Sequence, residues 1–71
     1  MVSAQDGSPV NINRASAEEL TTLRHVGEAL SQRIIEYREE NGGFSAPEDI
    51  MNVRGIGERV YELNKDRIVV N

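Results

Sequence analysis

Two glycines flank one isoleucine in the second half of the chain, in the stretch Val53-Arg54-Gly55-Ile56-Gly57. Glycine lets the backbone take positive φ angles, and its missing side chain lets a ligand approach the amide N–H groups closely. Where such a turn leads into a helix, the unpaired N–H groups and the positive end of the helix dipole favour an anion. The motif therefore predicts a phosphate site, with Ile56 pointing inward as an anchor.

A related pattern occurs earlier in the chain, at an offset of 30 positions, as from Ala17 to Pro47. Val26-Gly27-Glu28 then corresponds to Ile56-Gly57-Glu58. Each copy is typical of a short helix, a tight turn and a second helix, and neither copy could bury its apolar face alone. Two such turns about a pseudo-twofold axis match the two backbones of a duplex, whereas a purely structural turn needs no such partner.

Basic side chains accompany both turns. Arg24 and Arg54 precede the turns, and Arg59 lies in the first helical turn after the second one. We expect these three to contact phosphates, although Arg24 and Arg54 also suit the negative end of a helix dipole. Lys65 and Arg67 follow the last predicted helix, where they contact the same backbone or form solvated surface.

The two turns differ at their first glycine position, where His25 corresponds to Gly55. Histidine tolerates left-handed backbone better than most residues, so we expect the turn to persist. Its imidazole then contacts a phosphate, more strongly when protonated, or else this turn is degenerate and binds less well. Ala29 corresponds to Arg59 and carries no charge, which also makes the first turn the weaker one.

These features predict a nucleic-acid interface and no catalytic site. The candidate DNA-binding residues are Arg24, His25, Val26, Gly27, Arg54, Gly55, Ile56, Gly57, Arg59 and Lys65. With 71 residues, no cysteine and one histidine, the chain offers neither a deep cleft nor a thiolate or multi-histidine metal site. We therefore predict no enzyme activity, no metal, no cofactor, no small-molecule substrate and, without an apolar run of about 20 residues, no membrane span.

The overall charge opposes nucleic-acid binding, but its distribution does not. The chain has 8 Lys+Arg against 12 Asp+Glu, a formal net charge of −4. Residues 36–49 hold five acids against one arginine, whereas residues 53–67 hold four bases against three acids. The acidic excess thus lies between the two copies, which predicts weak DNA binding carried by the second turn.

Local signals predict four helices within one domain of residues 10–71, after a flexible tail of residues 1–9. A capping box of Ser16 and Glu19 starts a helix over residues 17–24, and Asn41-Gly42-Gly43 ends a second one that begins near Gly27. A third helix is predicted from Ser45, Pro47 and Glu48 to Val53, and a fourth from Gly57, with Val60, Leu63 and Asn64 along one side. Residues 10–13 are predicted to form a short extended segment, and residues 68–70 a brief apolar strand-like or coil segment. The predicted core residues are Val26, Leu30, Ile34, Tyr37, Phe44 and Ile56.

Residues 10–20, 34–44 and 52–58 resemble the tandem helix-hairpin-helix domain, and more closely the ComEA-type DNA-uptake proteins of bacterial competence. The resemblance implies an all-α fold of two pseudo-symmetric helix-hairpin-helix motifs in one compact domain. It also implies sequence-independent binding of double-stranded DNA through hairpin amides, uptake-channel proteins as partners, and a periplasmic or cell-surface location, although the sequence shows no export signal. A protein-interaction or oligomerisation module is the alternative, and a repair or recombination role would use the same domain.

Overall fold

The computed structural model describes residues 8–71, in which four helices confirm the predicted all-α fold. The elements are β1 (Val10–Asn11), α1 (Ala17–Leu20), α2 (Glu28–Asn41), a 3₁₀ helix (Pro47–Asn52), α3 (Glu58–Asn64) and β2 (Ile68–Val69). Most of the predicted flexible tail lies outside the described residues. None of the helices between residues 8 and 71 is both long enough and apolar enough to cross a lipid bilayer.

Carboxylates cap the first helix of each copy. The predicted capping box is confirmed, because Glu19 N–H donates to the Ser16 hydroxyl at 3.1 Å and Ser16 N–H donates to the Glu19 carboxylate at 3.0 Å. The predicted pairing of Ser45 with Glu48 is wrong by one residue. The carboxylate of Asp49 instead accepts the N–H of Ser45 at 3.1 Å and that of the next residue at 3.2 Å.

Helix α1 is shorter than predicted, since it ends at Leu20 and not at Arg24. The hydroxyls of Thr21 and Thr22 donate to carbonyl oxygens three residues earlier, at 2.7 and 2.6 Å. The Leu23 N–H also bonds three residues back, to Leu20 at 3.1 Å. Backbone bonds to the third residue back give a tighter turn than an α-helix, and the two threonine hydroxyls bond to carbonyls of the same helix. Together these bonds end α1 before hairpin 1, the turn of residues 23–27.

Helix α2 spans the predicted range and is the longest element. It begins after Gly27 and ends at Asn41, where Gly42 takes a left-handed φ of 78°. A glycine in this conformation ends a helix without steric cost. Tyr37, on this helix, stacks on Phe44, which follows the helix, with ring centroids 5.0 Å apart. Helix α2, twice as long as its counterpart α3, thus leads from the first copy of the repeat to the second.

The core takes equivalent residues from both copies of the repeat. Buried pairs related by the offset are Leu20 with Ile50, Leu23 with Val53, and Val26 with Ile56. Of the predicted core residues, Leu30 and Tyr37 are half-buried and the other four are buried. Of the two residues predicted along one side of the last helix with Val60, Asn64 is buried whereas Leu63 is 40% exposed.

The two short extended segments pair with each other. Strands β1 and β2 run parallel, with Val10 opposite Ile68 and Asn11 opposite Val69. The Val10 N–H donates to the Arg67 carbonyl at 2.7 Å. The sequence predicts both extended segments but not their pairing, which brings the beginning and the end of the domain together.

Candidate nucleic-acid interface

Each copy of the repeat contains one tight turn between its helices, residues 23–27 (hairpin 1) and residues 53–57 (hairpin 2). In hairpin 1, Val26 N–H donates to the carbonyl at position 23 at 3.2 Å. In hairpin 2, Ile56 N–H donates to the carbonyl at position 53 at 3.0 Å. The two hairpins therefore share one backbone hydrogen-bonding pattern although their sequences differ.

The middle residue of each hairpin has left-handed backbone. The φ angle is 65° at His25 and 97° at Gly55, which confirms that the turn persists with histidine. Left-handed backbone costs a residue with a side chain roughly 1–2 kcal/mol, which the packed hairpin must offset. The glycines that follow, Gly27 and Gly57, have φ angles of −95° and −106°. Within hairpin 2, positive φ thus occurs at Gly55 alone.

The glycines also differ in what surrounds them. A Cβ atom added to Gly27 or Gly57 would meet no atom within 4 Å among the described residues. A Cβ added to Gly55 would lie 2.7 Å from a methyl carbon of Leu30 and 2.9 Å from the Arg33 guanidinium, both on α2. The space that a side chain at Gly55 would need is therefore occupied by α2 of the first copy. Gly27 and Gly57 keep the open approach.

Unpaired amides follow both hairpins. The first intrahelical bonds run from Ser31 N–H to Gly27 at 2.9 Å and from Tyr61 N–H to Gly57 at 3.1 Å. In the described part of the chain, the N–H groups of residues 27–29 and 57–59 therefore have no acceptor, and no side chain caps either helix. Both sets lie at positive helix ends, where partial charge favours an anion.

The structure places most of the predicted site residues on the surface. The exposed ones are Arg24, His25, Gly27, Arg54, Gly55, Gly57, Arg59 and Lys65. Val26 and Ile56 are buried and their N–H groups are already bonded, so these two residues anchor the hairpins and leave phosphate contacts to their neighbours. The exposed arginines flank the open amides in the sequence of each hairpin.

Lys65 differs from the other basic site residues because it already has an acidic partner. Its Nζ lies 3.0 Å from a carboxylate oxygen of Glu62, one helical turn earlier. The hydrogen bond from the ammonium to Glu62, together with the carboxylate charge, raises the pKa of Lys65. A phosphate must compete with this carboxylate, which makes Lys65 the weakest of the predicted contacts.

Arg67 is part of the structural framework and not of the solvated surface. Its guanidinium donates to the Ser8 carbonyl at 3.0 Å, to the Thr22 carbonyl at 2.9 Å and to the Thr22 hydroxyl at 3.2 Å. One side chain near β2 thereby ties the segment before β1 to the segment that enters hairpin 1. The contacts join residues 45 and 59 positions apart, so no local sequence pattern indicates them.

Each copy also braces the hairpin of the other copy. The buried side chain of Asn64, on α3, accepts the Arg24 N–H at 2.7 Å and donates to the Arg24 carbonyl at 3.0 Å. The guanidinium of Arg33, on α2, donates to the Arg54 carbonyl at 3.3 Å. Sequence reasoning missed both residues as parts of the site. A signal was present for one of them, because Asn64 is polar where the other copy has the buried Ile34.

Comparisons with known proteins agree with this geometry. The family model of the helix-hairpin-helix motif matches residues 5–69. ComE operon protein 1 of Bacillus subtilis is 50% identical over 64 residues. An uncharacterized protein of Haemophilus influenzae is 39% identical over 61 residues, and the human endonuclease/exonuclease/phosphatase family domain-containing protein 1 is 45% identical over 62 residues.

The matches cover most of this chain but only part of each relative. They span 90%, 84% and 87% of the chain, against 31%, 54% and 11% of the Bacillus, Haemophilus and human proteins. What is shared is thus the region with the two hairpins, within proteins of very different length.

Proposed function

The chain belongs to the helix-hairpin-helix family, and from this premise we propose that it binds double-stranded DNA through the phosphate backbone, without sequence preference. One observation carries the proposal. The two hairpins differ in sequence but have the same backbone hydrogen bonds, a left-handed conformation at the middle residue, and unpaired amides after it. A turn that served only to connect helices would not need open amides in both copies.

In the proposed mechanism, each hairpin holds one phosphate group. The N–H groups that follow Gly27 and Gly57 donate to phosphate oxygens, and the open space at both glycines admits the close approach. Arg24, Arg54 and Arg59 add charge-assisted contacts to the same or neighbouring phosphates. Contacts to phosphate fix the position of the protein on the duplex but carry no sequence information.

We expect the affinity to be modest. The net charge of −4 repels a polyanion, and the acidic excess lies in residues 36–49, which run from the second half of α2 into the 3₁₀ helix. Hairpin 2 lies in the net-positive stretch, residues 53–67, so it carries the larger share of the binding. A dissociation constant on the order of 10⁻⁴–10⁻⁶ M at physiological salt is the usual range for non-specific binding.

The proposed biological role is the capture of DNA for transport during competence, as a binding module and not as an enzyme. Similarity to ComE operon protein 1 supports this role, and the resemblance to ComEA-type proteins implies action outside the cytoplasmic membrane with uptake-channel proteins as partners. The human relative, in which the matched region is 11% of the length, indicates that related domains also occur in other proteins.

A salt titration of duplex binding tests the proposal. Two labelled duplexes of equal length and unrelated sequence are titrated with the protein by fluorescence anisotropy between about 50 and about 200 mM salt. We expect equal affinities for the two duplexes, and a logarithm of the binding constant that falls linearly with the logarithm of salt. Absence of binding at low salt, or an affinity that salt leaves unchanged, would contradict the proposal and favour a protein-interaction module.

A map of amide chemical-shift changes then locates the interface. On addition of duplex DNA, we expect the largest changes at Gly27, Gly55 and Gly57. Gly42 serves as the control because it has left-handed backbone like Gly55 but lies at the far end of α2. Changes centred on Gly42 would place the interface away from the hairpins.

A further inference from the structure

Arg33 lies beside hairpin 2 although it belongs to the other copy of the repeat. It is an exposed residue in α2, and its guanidinium donates to the Arg54 carbonyl at 3.3 Å. The same guanidinium lies 2.9 Å from the position that a Cβ on Gly55 would occupy. A cation from the first copy therefore sits against the left-handed residue of the second hairpin.

The charge of Arg33 is not neutralised by an ion pair. Within residues 8–71, the one ion pair joins Lys65 to Glu62. A backbone carbonyl uses one of the five N–H groups of a guanidinium and leaves its full charge in place. The remaining donors of a fork-shaped guanidinium match the oxygens of a phosphate in a bidentate manner.

The other hairpin lacks an equivalent cation. The repeat offset relates Arg33 to Leu63 and Ile34 to Asn64. This register agrees with the burial, since Ile34 and Asn64 are both buried while Arg33 and Leu63 are both exposed. At the position that corresponds to Arg33, hairpin 1 therefore has an apolar side chain, 40% exposed.

We propose that Arg33 contributes a phosphate contact to hairpin 2, so that this DNA site is assembled from both copies of the repeat. The inference rests on the proposed DNA binding and adds a residue outside both hairpins to it. It gives hairpin 2 a cation from α2 in addition to the arginines of its own sequence. The missing side chain of Gly55 then has a role in binding, because it leaves room for the Arg33 guanidinium beside hairpin 2.

The test compares the salt dependence of DNA binding for Arg33→Gln with that for Arg14→Gln. Both variants lose one positive charge from an exposed residue, but Arg14 lines a cleft with Gly42 and Gly43, at the end of α2. Losing one phosphate contact lowers the slope of log affinity against log salt by about 0.9, which makes the loss of affinity from about 50 to about 200 mM salt about 3.5-fold smaller. We expect this change for Arg33→Gln, the wild-type slope for Arg14→Gln, and a wild-type slope for Arg33→Lys, which keeps the charge.

A measurement on the wild-type protein makes the test independent of folding in the variants. The side-chain Nε–H signal of Arg33 is followed by nuclear magnetic resonance while duplex DNA is added. We expect this signal to shift together with the Gly57 amide.

Specific outcomes overturn the inference. They are a stationary Arg33 signal during DNA binding, equal slopes for Arg33→Gln and Arg14→Gln, or a slope for Arg33→Lys as low as for Arg33→Gln. If wild-type protein shows no salt-dependent binding, the proposed function itself fails. The wild-type titration therefore separates the two failures.

Discussion

At the scale of single residues, His25 shows how much side chain the hairpin tolerates. Its φ of 65° reproduces the left-handed backbone that Gly55 gives hairpin 2, and its imidazole is exposed. The hairpin hydrogen bonds at Val26 and Ile56 remain equivalent. Packing of the buried anchors Val26 and Ile56 therefore sets the geometry of the turn, and the middle residue adopts the left-handed backbone that this geometry requires.

We predict that His25→Gly strengthens DNA binding several-fold, because it removes an exposed side chain from the turn and lets the duplex backbone approach hairpin 1 more closely. The free energy of unfolding should change by less than about 1 kcal/mol, since relief of left-handed backbone is offset by the greater chain entropy of glycine. Anisotropy titration and urea denaturation measure the two quantities. Weaker binding would instead indicate that the imidazole contacts a phosphate directly.

The two glycines of hairpin 2 should separate stability from binding. Gly55→Ala is expected to lower the free energy of unfolding by about 2–4 kcal/mol, because it adds left-handed strain and overlaps Leu30 and Arg33. Gly57→Ala meets open space, so its unfolding free energy should stay within about 1 kcal/mol of wild type, while DNA binding weakens.

Urea denaturation and DNA titration of both variants test this separation. A Gly57→Ala variant that binds DNA like wild type would show that no phosphate approaches there. A Gly55→Ala variant as stable as wild type would show that the side chains of Leu30 and Arg33 move aside at little cost in free energy.

At the scale of secondary-structure elements, the sequence correctly predicts those helix ends that depend on residues close together in the chain. The Ser16 cap and the Asn41-Gly42-Gly43 stop are short-range features, and both helix ends are correctly predicted from them. The positions of the two hairpins also follow from the sequence, because aligning the chain with itself at the repeat offset places the two turns at equivalent positions. The early end of α1 was missed because two hydroxyls at Thr21 and Thr22 compete for backbone carbonyls, a balance that apolar spacing does not reveal.

Contacts between the copies could not be predicted from the sequence. Asn64 reaches hairpin 1 across 40 positions and Arg33 reaches hairpin 2 across 21 positions. Such contacts depend on how α2 and α3 pack, and local patterns contain no information on packing. The same reason explains why Leu63 is exposed, since the side chain of the adjacent Asn64 takes the inward position and bonds with Arg24.

The hairpins are expected to contribute unequally, with hairpin 2 the stronger. Arg59→Ala and Ala29→Glu each lower the net charge by one, at equivalent positions of the two copies. We predict that Arg59→Ala weakens binding more and lowers the salt slope by about 1, as loss of one phosphate contact requires. Equal losses of affinity in parallel titrations would show that the two hairpins share the binding equally.

A further prediction concerns the exposed position on α3. Leu63→Arg should supply hairpin 1 with the cation that Arg33 gives hairpin 2, and so steepen the salt slope by about 1. Met51→Arg adds the same charge at an exposed residue of the 3₁₀ helix and is the matched control. If both variants steepen the slope alike, the added charge acts through the net charge alone.

At the scale of the whole molecule, Arg67 joins parts that are distant along the chain. Its bonds to Ser8 and Thr22 connect the segment before β1, the entry to hairpin 1 and the approach to β2. We predict that Arg67→Ala lowers the free energy of unfolding by about 2–4 kcal/mol, because its hydrogen bonds share one half-buried guanidinium and contribute less together than separate charged hydrogen bonds of roughly 1.5–3 kcal/mol each.

Lys65→Ala is the matched control, because it removes the same charge two residues earlier and should leave stability unchanged. The Lys65 ion pair with Glu62 is exposed, and such pairs contribute little. Urea denaturation of the two variants decides the comparison. Equal destabilisation would mean that Arg67 acts through the net charge and not through its bonds.

The parallel pairing of β1 with β2 has a consequence for how this fold is joined to other sequences. Because Val10 lies beside Ile68, the chain enters and leaves the domain close together, at the two ends of one short strand pair. A unit with its ends this close can be spliced into a loop of a host protein with little stretching of that loop, and the two connections then leave opposite ends of the short strand pair. It also makes the domain suited to circular permutation, with a short linker across the paired strands and new termini at an exposed position such as Gly42.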